Sequence, residues 1–169
     1  YYNNSATTTT AVGFQAGYGV SGQTYFQNAV LLGYRAGYVL TTGDNNILLG
    51  YQAGDNITTG DTNMVLGYNI DAPSATSNNT LNIGNLIFGT SIDGTGTTLS
   101  SGNIGIGTTT PQAKLHISNG ASATTTVTIG ELGLSTSKSC VNMNRSDGGA
   151  GSFYLNGSGV LVSEPNYCR

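Results

Sequence analysis

Tryptophan is absent from this chain of 169 residues, histidine occurs once, and only 8% of the residues are charged. Five Lys plus Arg stand against eight Asp plus Glu, giving a net charge of −3, and the basic residues do not cluster. That balance excludes binding to nucleic acid by phosphate neutralisation. Long apolar runs are missing as well. The longest, such as "AVLL" at 29–32, fall far short of the roughly 20 residues a membrane helix needs. No insertion into a membrane is expected of this segment. The opening "YYNNSATTTT" carries no basic and apolar leader, and reads as either a mature terminus or the start of an excerpt. Cysteine is confined to Cys140 and Cys168, with no ligand pair near them at zinc spacing. A disulfide between them is expected rather than two free thiols. It would constrain the unfolded chain by roughly 3 to 4 kcal/mol and imply an oxidising, extracytoplasmic setting.

What the chain has instead is glycine, 26 residues of it, with Thr, Ser and Asn filling much of the remainder. Solubility must then come from hydroxyls and amides. The residues are also periodic. "NAVLLGYRAG", "NNILLGYQAG" and "TNMVLGYNI" repeat one phrase, and the glycines that anchor it are Gly13, Gly33, Gly50, Gly67 and Gly84, the last four 17 apart. The first interval is 20, which reads as a three-residue insertion in a turn around "GQTYFQ".

Before each anchor stands Val12, Leu32, Leu49, Leu66 or Ile83, and three positions before it Thr10, Val30, Ile47, Met64 or Leu81. Side chains alternate along a strand, so these two columns share a face. The column between them, Ala11, Leu31, Leu48, Val65 and Asn82, points the other way and is also mostly apolar. After the anchor come the aromatic column Phe14, Tyr34, Tyr51 and Tyr68, the small column Ala16, Ala36 and Ala53, and a second glycine column. A third apolar column, Val20, Leu40 and Ile57, leads into turn phrases such as "TTGDN". Strand, glycine corner, short strand and polar turn make one coil of a solenoid, with glycine at the corners. The period is too short for two packed helices, and no 3.6-residue periodicity is present. The expected fold is all-β: a parallel β-solenoid, or β-roll, of about 17-residue coils over residues 1–84.

One strand face can fill the thin interior of the coil. The other, Leu31, Leu48 and Val65, is then expected to form an exposed stripe through which the chain self-associates about a common axis. The alternative is a broader coil that buries both faces within one chain.

The quoted phrases resemble the head repeats of YadA-like trimeric autotransporter adhesins. "GNIGIGTTTPQAKLHI", at 102–117, is similar to a segment of phage tail-fibre and bacterial surface proteins. The resemblance implies a homotrimeric β-roll and an extracellular, cell-surface or virion-surface location. It covers roughly residues 5–117, with a longer coil than the commoner repeat and with neither coiled-coil stalk nor membrane anchor in this stretch.

From residue 85 the period fails. Residues 85–111 read as an irregular glycine-rich β connector with Asp93-Gly94 as a hairpin-grade turn, and 112–169 as a small antiparallel β module of short strands beginning with "KLHI".

Candidate chemistry is sparse. "GYGVSG" at 17–22 has the letters of a dinucleotide fingerprint, but its glycines fall in repeat columns and no helix follows. His116 sits in an alternating strand pattern and has no identifiable triad partners. Asp44, Asp55 and Asp61 fall at turns beside glycine and match neither an EF-hand loop nor a calcium nonapeptide. No catalytic, cofactor-binding or metal-ligating residues are expected. The aromatic column would form a ladder able to bind sugar faces or a partner, or equally to pack coil on coil. The reading is a non-enzymatic extracellular structural protein, an adhesin or fibre whose partners are itself and a host glycan or surface protein. The alternatives are the subunit of a head-to-tail filament or a fragment of a tail fibre.

Overall fold

The computed structural model describes residues 8–19, 25–118, 141–144, 150–155 and 161–165. It divides into two compact units, Tyr1–Thr125 and Thr126–Arg169. Cys140 and Cys168 lie outside the described residues, as does Val20. All the described regular structure is β.

The first unit is a β-solenoid. Its strands are three residues long: β1 (Thr10–Val12), β2 (Val30–Leu32), β3 (Ile47–Leu49), β4 (Met64–Leu66) and β5 (Leu81–Ile83). They pair in parallel, each with the strand one coil on, so that Val30, Ile47, Met64 and Leu81 stand side by side. The 20-residue first interval leaves this register intact, with Thr10 beside Val30. The surplus residues are accommodated outside the strands.

Coil-to-coil hydrogen bonding continues around the perimeter well beyond these strands. Gln52 N–H donates to Tyr34 O and Asn69 N–H to Tyr51 O, while Thr41 N–H and Thr58 N–H reach Thr58 O and Ala75 O. Each coil therefore satisfies most of its backbone on its neighbours. Two corners per coil use left-handed residues that are not glycine. Gln15, Arg35, Gln52 and Asn69 form one column, at φ 50–58°, and Asn28, Asn45, Thr62 and Asn79 the other, at φ 54–60°. Asn tolerates this conformation. β-branched Thr62 adopts it at a cost in backbone strain.

The core is narrow. Leu31, Leu48 and Val65 line one wall, Ala16, Ala36 and Ala53 another, and Leu40 and Ile57 a third, all buried. Phe26 joins this core. Two asparagines share this interior. The Asn46 amide nitrogen donates to Gly43 O and Gly60 O at 3.0 and 2.8 Å, and its Oδ1 accepts from Asn63 N–H at 2.9 Å. Asn63 repeats the pattern one coil on, bonding Ser77 O and Thr80 N–H. Buried amides are tolerable here because their donors and acceptors are used.

The stack then changes. Asn82 takes the place of Val65 in the inner column and holds Asp71 O, Asn85 Oδ1 and Asn85 N–H within 2.7–3.0 Å. Gly84 and Asn85, at φ 62° and 54°, turn the chain back on itself. β6 (Ile87–Gly89) and β7 (Ile104–Ile106) then add antiparallel, and β8 (Leu115–Ile117) pairs in parallel with β7. The segment "KLHI", assigned from the sequence to the C-terminal module, thus closes the first unit's eight-stranded sheet. Alternation in a short strand carries no information about which neighbour it joins. Between β6 and β7, Asp93 sits at the neck of the loop rather than at its tip. It accepts from Ser101 N–H and Oγ–H, while the tight turn is made by Thr98 N–H on Thr95 O.

In the second unit β9 (Val141–Asn144), β10 (Ala150–Leu155) and β11 (Leu161–Pro165) form an antiparallel sheet with β10 in the centre.

Candidate functional site: an outward apolar face and an aromatic ladder

The expected self-association stripe is corrected by the structure. Leu31, Leu48 and Val65 are fully buried within their own chain. The alternation of faces was read correctly, but its sense was inverted: the glycine corners bend each coil around the middle residue of the strand, so that residue points inward. The letters carry no consistent marker of the outer face, since polar Thr10 stands in a flanking column and polar Asn82 in the middle one.

The outward face is therefore made by the two flanking columns. Beside one another stand Val12, Leu32, Leu49, Leu66, Ile83, Ile87, Ile106 and Ile117, aliphatic in all eight strands. The second column is Thr10, Val30, Ile47, Met64, Leu81, Gly89, Ile104 and Leu115. Val12, Leu32 and Leu115 are half or more exposed, at 56%, 50% and 58%. The face carries no charged residue. The first column survives the reversal at β6, where the 17-residue period and its corners have ended, whereas Gly89 interrupts the second.

The glycines at 13, 33, 50 and 67 are coil corners, with φ between 135° and 144°. A Cβ on Gly50 would lie 2.0 Å from Gly67 O. Gly84 is not such a corner. Its φ is 62° and nothing lies within 4 Å of a Cβ placed there, because the chain turns into a hairpin and no further coil stacks on it.

Phe14, Tyr34, Tyr51 and Tyr68 form a continuous stack beside the outward face. Successive ring centroids are 5.7, 5.1 and 5.0 Å apart, with interplanar angles of 12–14°. Both faces of Tyr34 and of Tyr51 are covered by neighbouring rings, so stacking against a sugar is blocked at those two positions. A second stack, Tyr18 on Tyr38 at 5.4 Å, was not singled out in the sequence, although the two tyrosines keep the 20-residue spacing of the first interval. Arg35 lies over Tyr34 and Tyr38 at 5.2 and 4.7 Å, held by Gln15 Oε1.

The remaining polar candidates are engaged structurally. Asp44 Oδ1 accepts from Gln27 N–H, and Asp61 Oδ1 from Asp44 N–H, each stitching a turn to the preceding coil. His116 is half-buried and its Nδ1 accepts from Gln112 N–H at 3.3 Å. Lys114 Nζ donates to Ser101 O and Gly102 O beside a cleft of about 520 Å³ that Ile92, Leu99 and Ile104 also line. Hydrogen bonds from the Ser101 hydroxyl and N–H hold the Asp93 carboxyl below its ordinary value. Partial desolvation, then the nearby Asp55 carboxylate, push Asp71 above its own. Among the described residues no three His, Cys, Asp or Glu side chains gather where they could hold a metal, and no helix is long and apolar enough to cross a membrane. Gly17 and Gly19 lie in a corner with positive φ, and the rest of "GYGVSG" falls outside the described residues apart from Tyr18.

Strands, corners and ladders together define an all-β repeat protein of the solenoid class. No protein family, curated protein or solved structure matches the chain.

Proposed function

We propose that the chain is a non-enzymatic extracellular structural protein, an adhesin or fibre, in which three copies pack their outward faces around a common axis. The observation that carries this reading is the unbroken apolar column from Val12 to Ile117. Eight strands at the usual spacing make a face about 34 Å long, with no charge along it to select a different partner. An apolar surface of that extent, exposed at Val12, Leu32 and Ile83 and half-exposed elsewhere, calls for a cover. A second or third copy supplies a face of the same length, pitch and chemistry. The trimer count follows the resemblance to trimeric adhesin heads. A stiff stack then spaces identical surfaces along a cell or virion exterior, where weak contacts to host glycan or protein sum through avidity.

A head-to-tail filament is the second reading. It is favoured by one feature: β1 and β8 run in the same direction with their columns in line, so a β8-to-β1 contact would repeat the parallel pairing found within the sheet. Light scattering with negative-stain imaging on non-denatured protein separates the two. Discrete rods of three times 17.3 kDa support the trimer, long polymers the filament, and a stable monomer overturns both. Leu49→Asp places a carboxylate on the outward face of β3 and is expected to dissociate the trimer while retaining the β circular-dichroism signal.

A further inference from the structure

We infer that Tyr51 and Tyr68 are a modification site, coupled oxidatively to a dityrosine that staples the coil of β3 to the coil of β4. The two phenols occupy the same position in successive coils, so the rings are stacked side by side in the same sense. Their centroids are 5.0 Å apart and their planes 14° from parallel. They are also the most accessible tyrosines of the ladder, with Tyr68 75% and Tyr51 41% exposed. Tyr34 is half-buried beneath Arg35, and Phe14 has no hydroxyl to oxidise.

The co-reactant is a peroxide acting through a haem peroxidase. Each phenol gives up one electron and its hydroxyl proton, and the two phenoxyl radicals join through the ring carbons ortho to oxygen. The ring hydrogens at the joined carbons then shift to oxygen and restore both phenols. The net change is one new carbon–carbon bond and the loss of two hydrogens, with hydrogen peroxide reduced to two waters. Holding both rings in contact before oxidation removes the encounter entropy of a bimolecular coupling. In a stack stabilised only between nearest neighbours, one covalent link between adjacent coils stops separation from spreading past it. The inference does not depend on the oligomeric state.

The test treats the dilute, folded full chain with hydrogen peroxide and a haem peroxidase, then cleaves it on the N-terminal side of aspartate. Asp44, Asp55, Asp61 and Asp71 place Tyr51 and Tyr68 in separate peptides, 44–54 and 61–70. The expected product is these two joined, lighter than their sum by two hydrogens, with the blue fluorescence of dityrosine. It should exceed any unstacked pair by at least about tenfold, exceed the equally close but less exposed Tyr34–Tyr51 pair, and lose the first advantage in denaturant. Tyr68→Phe should abolish it. Three results overturn the inference: no link in the folded chain, a pair distribution unchanged by unfolding, or a 44–54 to 61–70 link when Tyr51→Phe and Tyr68→Phe chains are co-expressed, which would place the bond between chains.

Discussion

The coils of β1–β5 and the reversing strands β6–β8 belong to one sheet, yet they keep different things. The coils carry the interior devices: corner glycines at 13, 33, 50 and 67, an aromatic stack from Phe14 to Tyr68, and the buried amides of Asn46 and Asn63. The later strands drop the corners, the stack and the asparagines, and fill the inner column with Phe88, Gly105 and His116. Only the outward aliphatic column persists through both. Interior repeats are a device for stacking one coil on the next, and they end where stacking ends. The outward face outlasts them, so it answers to a requirement other than coil packing.

Substitutions can break that contrast in order of expected effect. Gly50→Val puts a β-branched side chain at φ 137° with its Cβ 2.0 Å from a backbone oxygen, and should cost about 4 kcal/mol or prevent folding. Gly84→Ala, in open space at φ 62°, should cost about 1 kcal/mol. Denaturant titration of the two gives the difference between a coil corner and a hairpin turn, and equal losses would refute it.

Leu48→Ala empties a fully buried position and should lower stability by about 3 kcal/mol while leaving the particle mass unchanged. If the mass falls instead, the buried column and the outward face have been assigned the wrong way round.

The smallest effect is electrostatic. Asp71 holds its proton to higher pH folded than unfolded, so it contributes stability on acidification: stability rises as pH falls through the raised pKa and levels off below the ordinary value of 3.8. Asp93, with its lowered folded pKa, acts in the opposite sense, its contribution being lost on acidification. The difference in melting temperature between the parent and Asp71→Asn isolates the first of these. It should be largest at neutral pH, in favour of the variant, and shrink towards acid.

Much of this architecture was legible before the fold. Spacing alone located the first five strands, the corners at Gly13, Gly33, Gly50 and Gly67, and the aromatic ladder, because a solenoid writes its geometry into a fixed period. Leu31, Leu48 and Val65 were placed on the wrong side for a reason equally physical: alternation separates two faces without naming the inner one, and both were apolar. Asn46 and Asn63 were not singled out, since nothing in their letters distinguishes a solvated amide from one that bonds two coils inside the core. The reversal at Gly84 was hidden because Ile83-Gly84 continues the anchor phrase. Asn82, a polar residue in an aliphatic column, was the available sign.

The register across the first interval has a further consequence for how such a molecule can change in length. Three surplus residues between β1 and β2 leave Thr10 beside Val30, so additions at that turn do not elongate the body at all. Elongation requires a whole coil, and 17 residues then yield one strand spacing, about 4.8 Å. The molecule behaves as a ruler with fixed graduations, growing by duplication of complete units and insensitive to smaller insertions at its bends.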